Sequence, residues 1–311
     1  MSLKRLLFLN LALAVFLAQA ASITAVAQSL TTGDITGTIT DPSGAVLPNS
    51  TVTLQNNETG TTGTAGTNAQ GVYRFALLLP GTYVVSASAK GFQGTERSAT
   101  VNVGQATTVN IQLALAAATT TVEVSATGGT VQTESGDIST NLPPEQIADM
   151  PNPGNDLSYF VQTAPGATMN TQAGYGNSAT NGISGTSNLF TVDGMNENDP
   201  FLNLNNSGAT NLMLGSNDIR EATVVNNGYS GQYGGLAGAN VNYVTKSGTN
   251  HFHGDAEYFW NGSNMNANDW FNNHTATPRP FVNANQWAAS LGGPSARTRH
   301  SSLWIRKGCG C

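Results

Sequence analysis

Charge is what this chain has least of. Of its 311 residues only 10% are Asp, Glu, Lys or Arg, against roughly 25% in an average soluble domain. Helices with charged outer faces are thereby disfavoured; Thr, Asn, Gly and Ser fill the gap, and these are residues of strands and turns. A formal net charge of -6 and a pI near 5.1 offer no basic track for a phosphate backbone, so nucleic-acid binding is set aside. Cysteine is almost missing, and the two present, Cys309 and Cys311, lie too close in sequence for an unstrained mutual disulfide. No apolar run reaches the ~20 residues of a membrane-crossing helix. The longest, over 6–18, is interrupted by Asn10.

That run follows Lys4 and Arg5, and Ala25-Val26-Ala27 stands before Gln28. This is the layout of a secretory signal over 1–27, with cleavage after Ala20 as the alternative, and it predicts export. No Cys lies beside either cleavage position, so a lipid anchor is not expected.

From residue 28 to 115 short alternating segments are divided by turn signals at the spacing of a small β-sandwich. Strands are expected over 35–40, 51–55, 72–75 and 82–88, with a closing segment over 101–115. Asp41-Pro42-Ser43-Gly44, Asn68-Ala69-Gln70-Gly71 and Pro80-Gly81 mark the turns. The runs GTITDPSGAVLPNSTVTLQN and NAQGVYRFALLLPGTYVVSASAKGF are similar to the carboxypeptidase regulatory-like domain. That resemblance implies a transthyretin-like sandwich of the carbohydrate-binding-like kind, with no peptidase chemistry. Docking or glycan contact and a passive periplasmic spacer are both open readings of it.

Small residues then form a linker over 116–127. Within it Thr121, Val122, Glu123, Val124, Ser125 and Ala126 make a short β-branched segment that could add to a partner's sheet edge. It resembles a TonB box; a last strand of the preceding sandwich is the other reading.

The stretch 226–254, NNGYSGQYGGLAGANVNYVTKSGTNHFHG, resembles the plug-to-barrel junction of TonB-dependent outer-membrane receptors. The resemblance implies a mixed α/β plug domain over 128–250 and the start of a transmembrane β-barrel over 251–294. Within the plug, helices are expected over 144–150, behind Pro143 and Pro144, and over 156–162; strands are expected over 189–192 and 219–226. Asp193, Gly194, Tyr229, Gly231, Tyr233 and Gly234 would be structural, the glycines allowing tight turns. The family's plug usually carries an Arg after the first helix, and 151–155, PNPGN, has none.

Over 251–260 Phe252, Gly254, Ala256, Tyr258 and Trp260 alternate with His253, Asp255, Glu257 and Phe259. An outer-membrane strand should look this way, apolar to lipid and polar to the lumen. A half-buried soluble strand would also fit. Trp287, Ala289 and Leu291 repeat the pattern. Receptors of this kind close barrels of about 22 strands, and the roughly 60 residues after Asn250 are too few for them at ~10 residues per strand. Residues 295–311 depart from the family's pattern, which suggests a frameshift near codon 294 and an incomplete barrel.

Chemistry is sparse. His251 and His253 share one strand face but lack further ligands. Asp193, Asn196, Glu197, Asn198 and Asp199 offer oxygens for calcium without EF-hand spacing. Gly182-Ile183-Ser184-Gly185 falls one residue short of a nucleophile elbow. No catalytic residues, cofactor or metal are expected. The sequence therefore reads as the mainly β N-terminal part of a TonB-dependent receptor in the outer membrane of a Gram-negative-type bacterium. Its sandwich would lie in the periplasm, and its partners would be a TonB-type energy-transducing protein, outer-membrane lipid and an unidentified solute, with a glycan as one candidate. The alternative is a secreted carbohydrate-binding-like or adhesive module.

Overall fold

The computed structural model describes residues 31–116, 124–126, 136–150, 157–169, 178–201, 203, 215–227, 233–294 and 301–310. It is mainly β, with few and short helices. The signal over 1–27, the Arg-less loop over 151–155, and 295–300 lie outside the described residues.

The N-terminal domain contains β1 (Gly33–Thr40), β2 (Thr51–Asn56), β3 (Thr62–Gly66), β4 (Val72–Leu78), β5 (Gly81–Ser88), β6 (Thr95–Val101), β7 (Ala106–Thr108) and β8 (Ile111–Gln112). A short β9 (Val124–Ala126) joins them from the linker. β1 pairs with β4 antiparallel and with β7 and β8 in parallel. The second sheet runs β3-β2-β5-β6-β9. Strict alternation in β1 and β5 sends Ile35, Ile39, Tyr83, Val85 and Ala87 into one shared core with Val52, Leu54, Tyr73, Val101 and Ile111. The Tyr73 hydroxyl is buried with its ring and donates to the Val109 carbonyl at 2.6 Å, which satisfies a group that would otherwise be costly to bury. Burial raises its pKa further above the ordinary phenol value.

Two sequence expectations change here. The closing segment 101–115 is divided between the end of β6 and the short β7 and β8, with a turn at 102–105. β3 was not anticipated, because Thr62–Gly66 has no large side chain to signal a strand and is held by its register with β2.

The central domain is built on β10 (Ile138–Leu142), α1 (Pro144–Asp149), a 3-10 helix (Leu157–Thr163), β11 (Ala167–Met169), β12 (Ser178–Thr180), β13 (Leu189–Val192), β14 (Met195–Asn196), β15 (Ile219–Asn227) and β16 (Asn240–Thr245). Its main sheet runs β10-β15-β16-β13-β14, with β13 and β16 parallel. One face carries Phe190, Ala222, Val224, Val241 and Tyr243 against Ile147 of α1 and Leu157, Phe160 and Val161. The Tyr243 hydroxyl donates to the Leu157 carbonyl at 2.8 Å and pins the 3-10 helix to the sheet. The segment expected as a helix over 156–162 is a 3-10 helix over Leu157–Thr163. It makes two and a half turns at most before Ala164 and Pro165 stop it, and tertiary anchoring rather than length holds it.

The last unit is a meander of β17 (His253–Gly262), β18 (Asn283–Pro294) and β19 (Ser301–Gly310), ordered β17-β18-β19 and antiparallel throughout. A short α2 (Trp270–His274), capped by the Asp269 carboxylate at the Asn272 N–H (2.7 Å), lies in the β17–β18 connection. Although 295–311 was expected to be aberrant, the backbone of β19 pairs with β18 in continuous register from Pro294↔Ser301 to Asn285↔Gly310.

Candidate functional site

Three places were marked by the sequence: the 121–126 segment, the Asp193-Gly194 turn with the Tyr/Gly run after β15, and the first barrel strand. Thr121, Val122 and Glu123 lie outside the described residues, as do Tyr229 and Gly231. Val124, Ser125 and Ala126 form β9, parallel to Glu96, Arg97 and Ser98 of β6. Val124–Ala126 therefore occupy a sheet edge within their own chain, the geometry by which an extended peptide also adds to a partner's sheet.

Asp193 and Gly194 both have positive φ, 49° and 81°. They form the two-residue turn between β13 and β14, where Val192 pairs with Met195. Positive φ at both central positions matches the twist of a hairpin and explains the Asp-Gly pair. The Asp193 carboxylate also accepts from the Thr245 N–H (3.0 Å) and hydroxyl (2.7 Å), tying this turn to the end of β16. Tyr233 and Gly234 lie in the approach to β16, Tyr233 half-buried and Gly234 exposed.

The acidic, amide-rich loop after the turn is committed to its own backbone. Asn198 accepts from the Phe190 N–H and donates to the Asn188 carbonyl, while Asn196 accepts from the Asn198 N–H. Burial raises the pKa of Glu197. Among the described residues no three His, Cys, Asp or Glu side chains converge as metal ligands. His253 instead has Nδ1 within hydrogen-bond reach of the Thr249 hydroxyl and the His251 carbonyl.

On one face of the β17–β18 pair, and at Phe252 just before it, the large apolar side chains are exposed, while Ala288 is buried on the other face. Phe252, Tyr258, Trp260, Trp287 and Leu291 are all exposed, and Ala256 with them, while His253, Asp255 and Glu257 are half-covered. Tyr258 and Trp260 use their polar atoms locally, donating to the Asn285 (2.6 Å) and Asn283 (2.9 Å) side chains across the pair. That leaves rings with satisfied polar tips on an uncovered face, the form aromatic residues take near a membrane surface.

Sequence reasoning missed the residues that join these parts. Arg220 grips Glu58 through two parallel bonds, Nη1 to Oε2 at 2.8 Å and Nη2 to Oε1 at 2.7 Å. Next to it Glu221 is buried and accepts from the Val103 N–H (2.8 Å) and the Asn141 side chain. Burial raises its pKa, and the two hydrogen bonds and the Arg220 charge oppose that only in part. The available signal was an Arg-Glu pair interrupting the apolar strand IREATVV in a chain with so little charge.

A family model described as the carboxypeptidase regulatory-like domain matches residues 34–114, the N-terminal domain. A second, described as an outer membrane beta barrel domain, matches 244–300, the β17–β18 region. Residues 34–114 are thus similar to a regulatory-like domain and residues 244–300 to an outer-membrane barrel domain. TonB-dependent transporter Oar of Myxococcus xanthus is 28% identical to it over 258 residues, which is 79% of this chain and 23% of that relative. These matches support a TonB-dependent receptor, a class that binds and transports rather than catalyses, and the chain spans 23% of the relative's length. Among solved structures, the siderophore receptor PirA of Acinetobacter baumannii is similar over 53% of this chain and 23% of its own, with 21% identity and a TM-score of 0.39. A minor pilin of Streptococcus agalactiae is similar over 30% of this chain and 49% of its own, with 18% identity and a TM-score of 0.26. Scores this low describe local likeness, and the kinship rests on the sequence matches.

Proposed function

We propose that this chain is the N-terminal part of an outer-membrane receptor for energised uptake of a solute, with a transthyretin-like sandwich in the periplasm, a plug over 128–250, and the first strands of the surrounding barrel. The observation that carries this reading is the β17–β18 pair: it coincides with the barrel match and exposes an apolar, aromatic face where a soluble strand would bury one. In that scheme the central domain is the plug, and Thr121, Val122, Glu123, Val124, Ser125 and Ala126 are the segment on which a TonB-type partner pulls. β9 pairs along one edge with β6, and a partner strand would add along its other edge, where the sheet ends.

Transport itself requires a closed barrel, because unpaired strand edges are not tolerated in lipid. The test is made in a version with a complete barrel. Outer-membrane fractions should contain the protein, and the purified periplasmic domain of a TonB-type protein should bind it. Deleting 121–126 should abolish that binding and leave membrane insertion unchanged. Recovery of the protein only in the soluble fraction would sink the receptor reading and favour a secreted binding module.

A further inference from the structure

We propose that the N-terminal domain is seated on the central domain by a two-sided latch on β15, Arg220 gripping the β2–β3 turn and Glu221 the β6–β7 turn, so that domain, plug and barrel entry form one unit. The β15–β16 register shifts between Ile219 and Glu221, a bulge at Arg220, and from it this pair reaches two separate loops of the N-terminal domain at once. On one side the bidentate Arg220–Glu58 pair is half-buried, with 16% and 34% side-chain exposure. A fork of two parallel charge-assisted bonds fixes orientation as well as distance. The Arg220 guanidinium also lies over Gly81, where an added Cβ would come to 3.1 Å from it. On the other side the buried Glu221 carboxylate is met by the Val103 amide.

A third contact extends the latch to the barrel entry. The same β2–β3 turn accepts two bonds from Asn250, three residues before β17: its N–H reaches the Glu58 carbonyl at 3.1 Å and its side-chain amide the Thr59 carbonyl. One turn of the N-terminal domain therefore holds both β15 and the point where the chain leaves the plug. A domain tethered only by a flexible linker would show none of these contacts, and a carboxylate as buried as Glu221 would be costly without the Val103 and Asn141 donors. The latch rests on this geometry alone and stands or falls separately from the transport reading.

Amide hydrogen exchange on the full chain tests it, because the Val103 and Asn250 N–H groups both donate across the interface. In the native chain both should be protected. Arg220→Glu should speed exchange at Asn250 and Val103 by about tenfold or more, with the buried amides of β5 unchanged as the sign of an intact N-terminal domain. Glu58→Arg, made from the other side, should do the same, and Glu58→Arg with Arg220→Glu should restore protection at Asn250. Free exchange at both amides in the native chain, or single variants that leave both protected, would overturn the latch. Failure of the double variant to recover any protection would overturn the ion pair as its basis.

Discussion

β5 of the N-terminal domain and β17 of the hairpin are written in the same alternation and put it to opposite use. In β5, Tyr83, Val85 and Ala87 turn inward and leave Thr82, Val84 and Ser86 half-exposed. In β17, Ala256, Tyr258 and Trp260 turn outward, while Asp255 and Glu257 are the better-covered face. The period of two is the same in both; what differs is whether another sheet of the same chain is available to cover the apolar side. The N-terminal domain has two sheets around one core, whereas among the described residues no sheet lies opposite the hairpin, so its apolar face is left uncovered.

A charged side chain placed on each apolar face separates the two cases most strongly. Ile39→Asp puts a charge into a fully buried position, and the N-terminal domain should fail to fold, seen as loss of protease resistance over 33–113. A smaller effect is expected on the hairpin. Tyr258→Lys should leave the N-terminal domain folded and cost about 2–4 kcal/mol of membrane stability if the residue lies near the bilayer midplane, falling toward zero at the interface. Denaturant titration in lipid vesicles measures it, and loss of the N-terminal domain's own transition would contradict the division drawn here. The smallest effect belongs to the region between them. Gly194→Ala keeps the turn but forces a Cβ into positive φ, and should cost about 1–2 kcal/mol in the central domain's unfolding transition. Wild-type stability in that variant would show that the turn relaxes to another geometry.

Short-range features were legible in the chain. Asp193-Gly194, the Asn68–Gly71 turn and the helix behind Pro143 are set by local backbone preferences, and each forms where expected. The strand at Leu189–Val192 has the bounds its apolar residues announce. Distant pairings were not legible. β7 and β8 lie parallel to β1 some seventy positions away, and Arg220 meets Glu58 across 162 positions. Nothing local in Thr107 or Glu58 specifies those partners. The 3-10 helix at Leu157–Thr163 is a further case: its sequence suits either helix type, and the Tyr243 hydroxyl and the stop at Pro165 select the tighter one.

By itself the sequence determined where strands alternate, where they turn, and how little charge the surface carries, because these follow from side-chain chemistry read one or two residues at a time. The tertiary structure alone decided which apolar face is covered and which is left open. It also turned β9 into an edge strand of β6 and two adjacent charged residues into a join between domains. Burial and pairing depend on what lies opposite in space, and a linear pattern with a period of two is the same whether the opposite surface is another sheet, a second domain or a membrane.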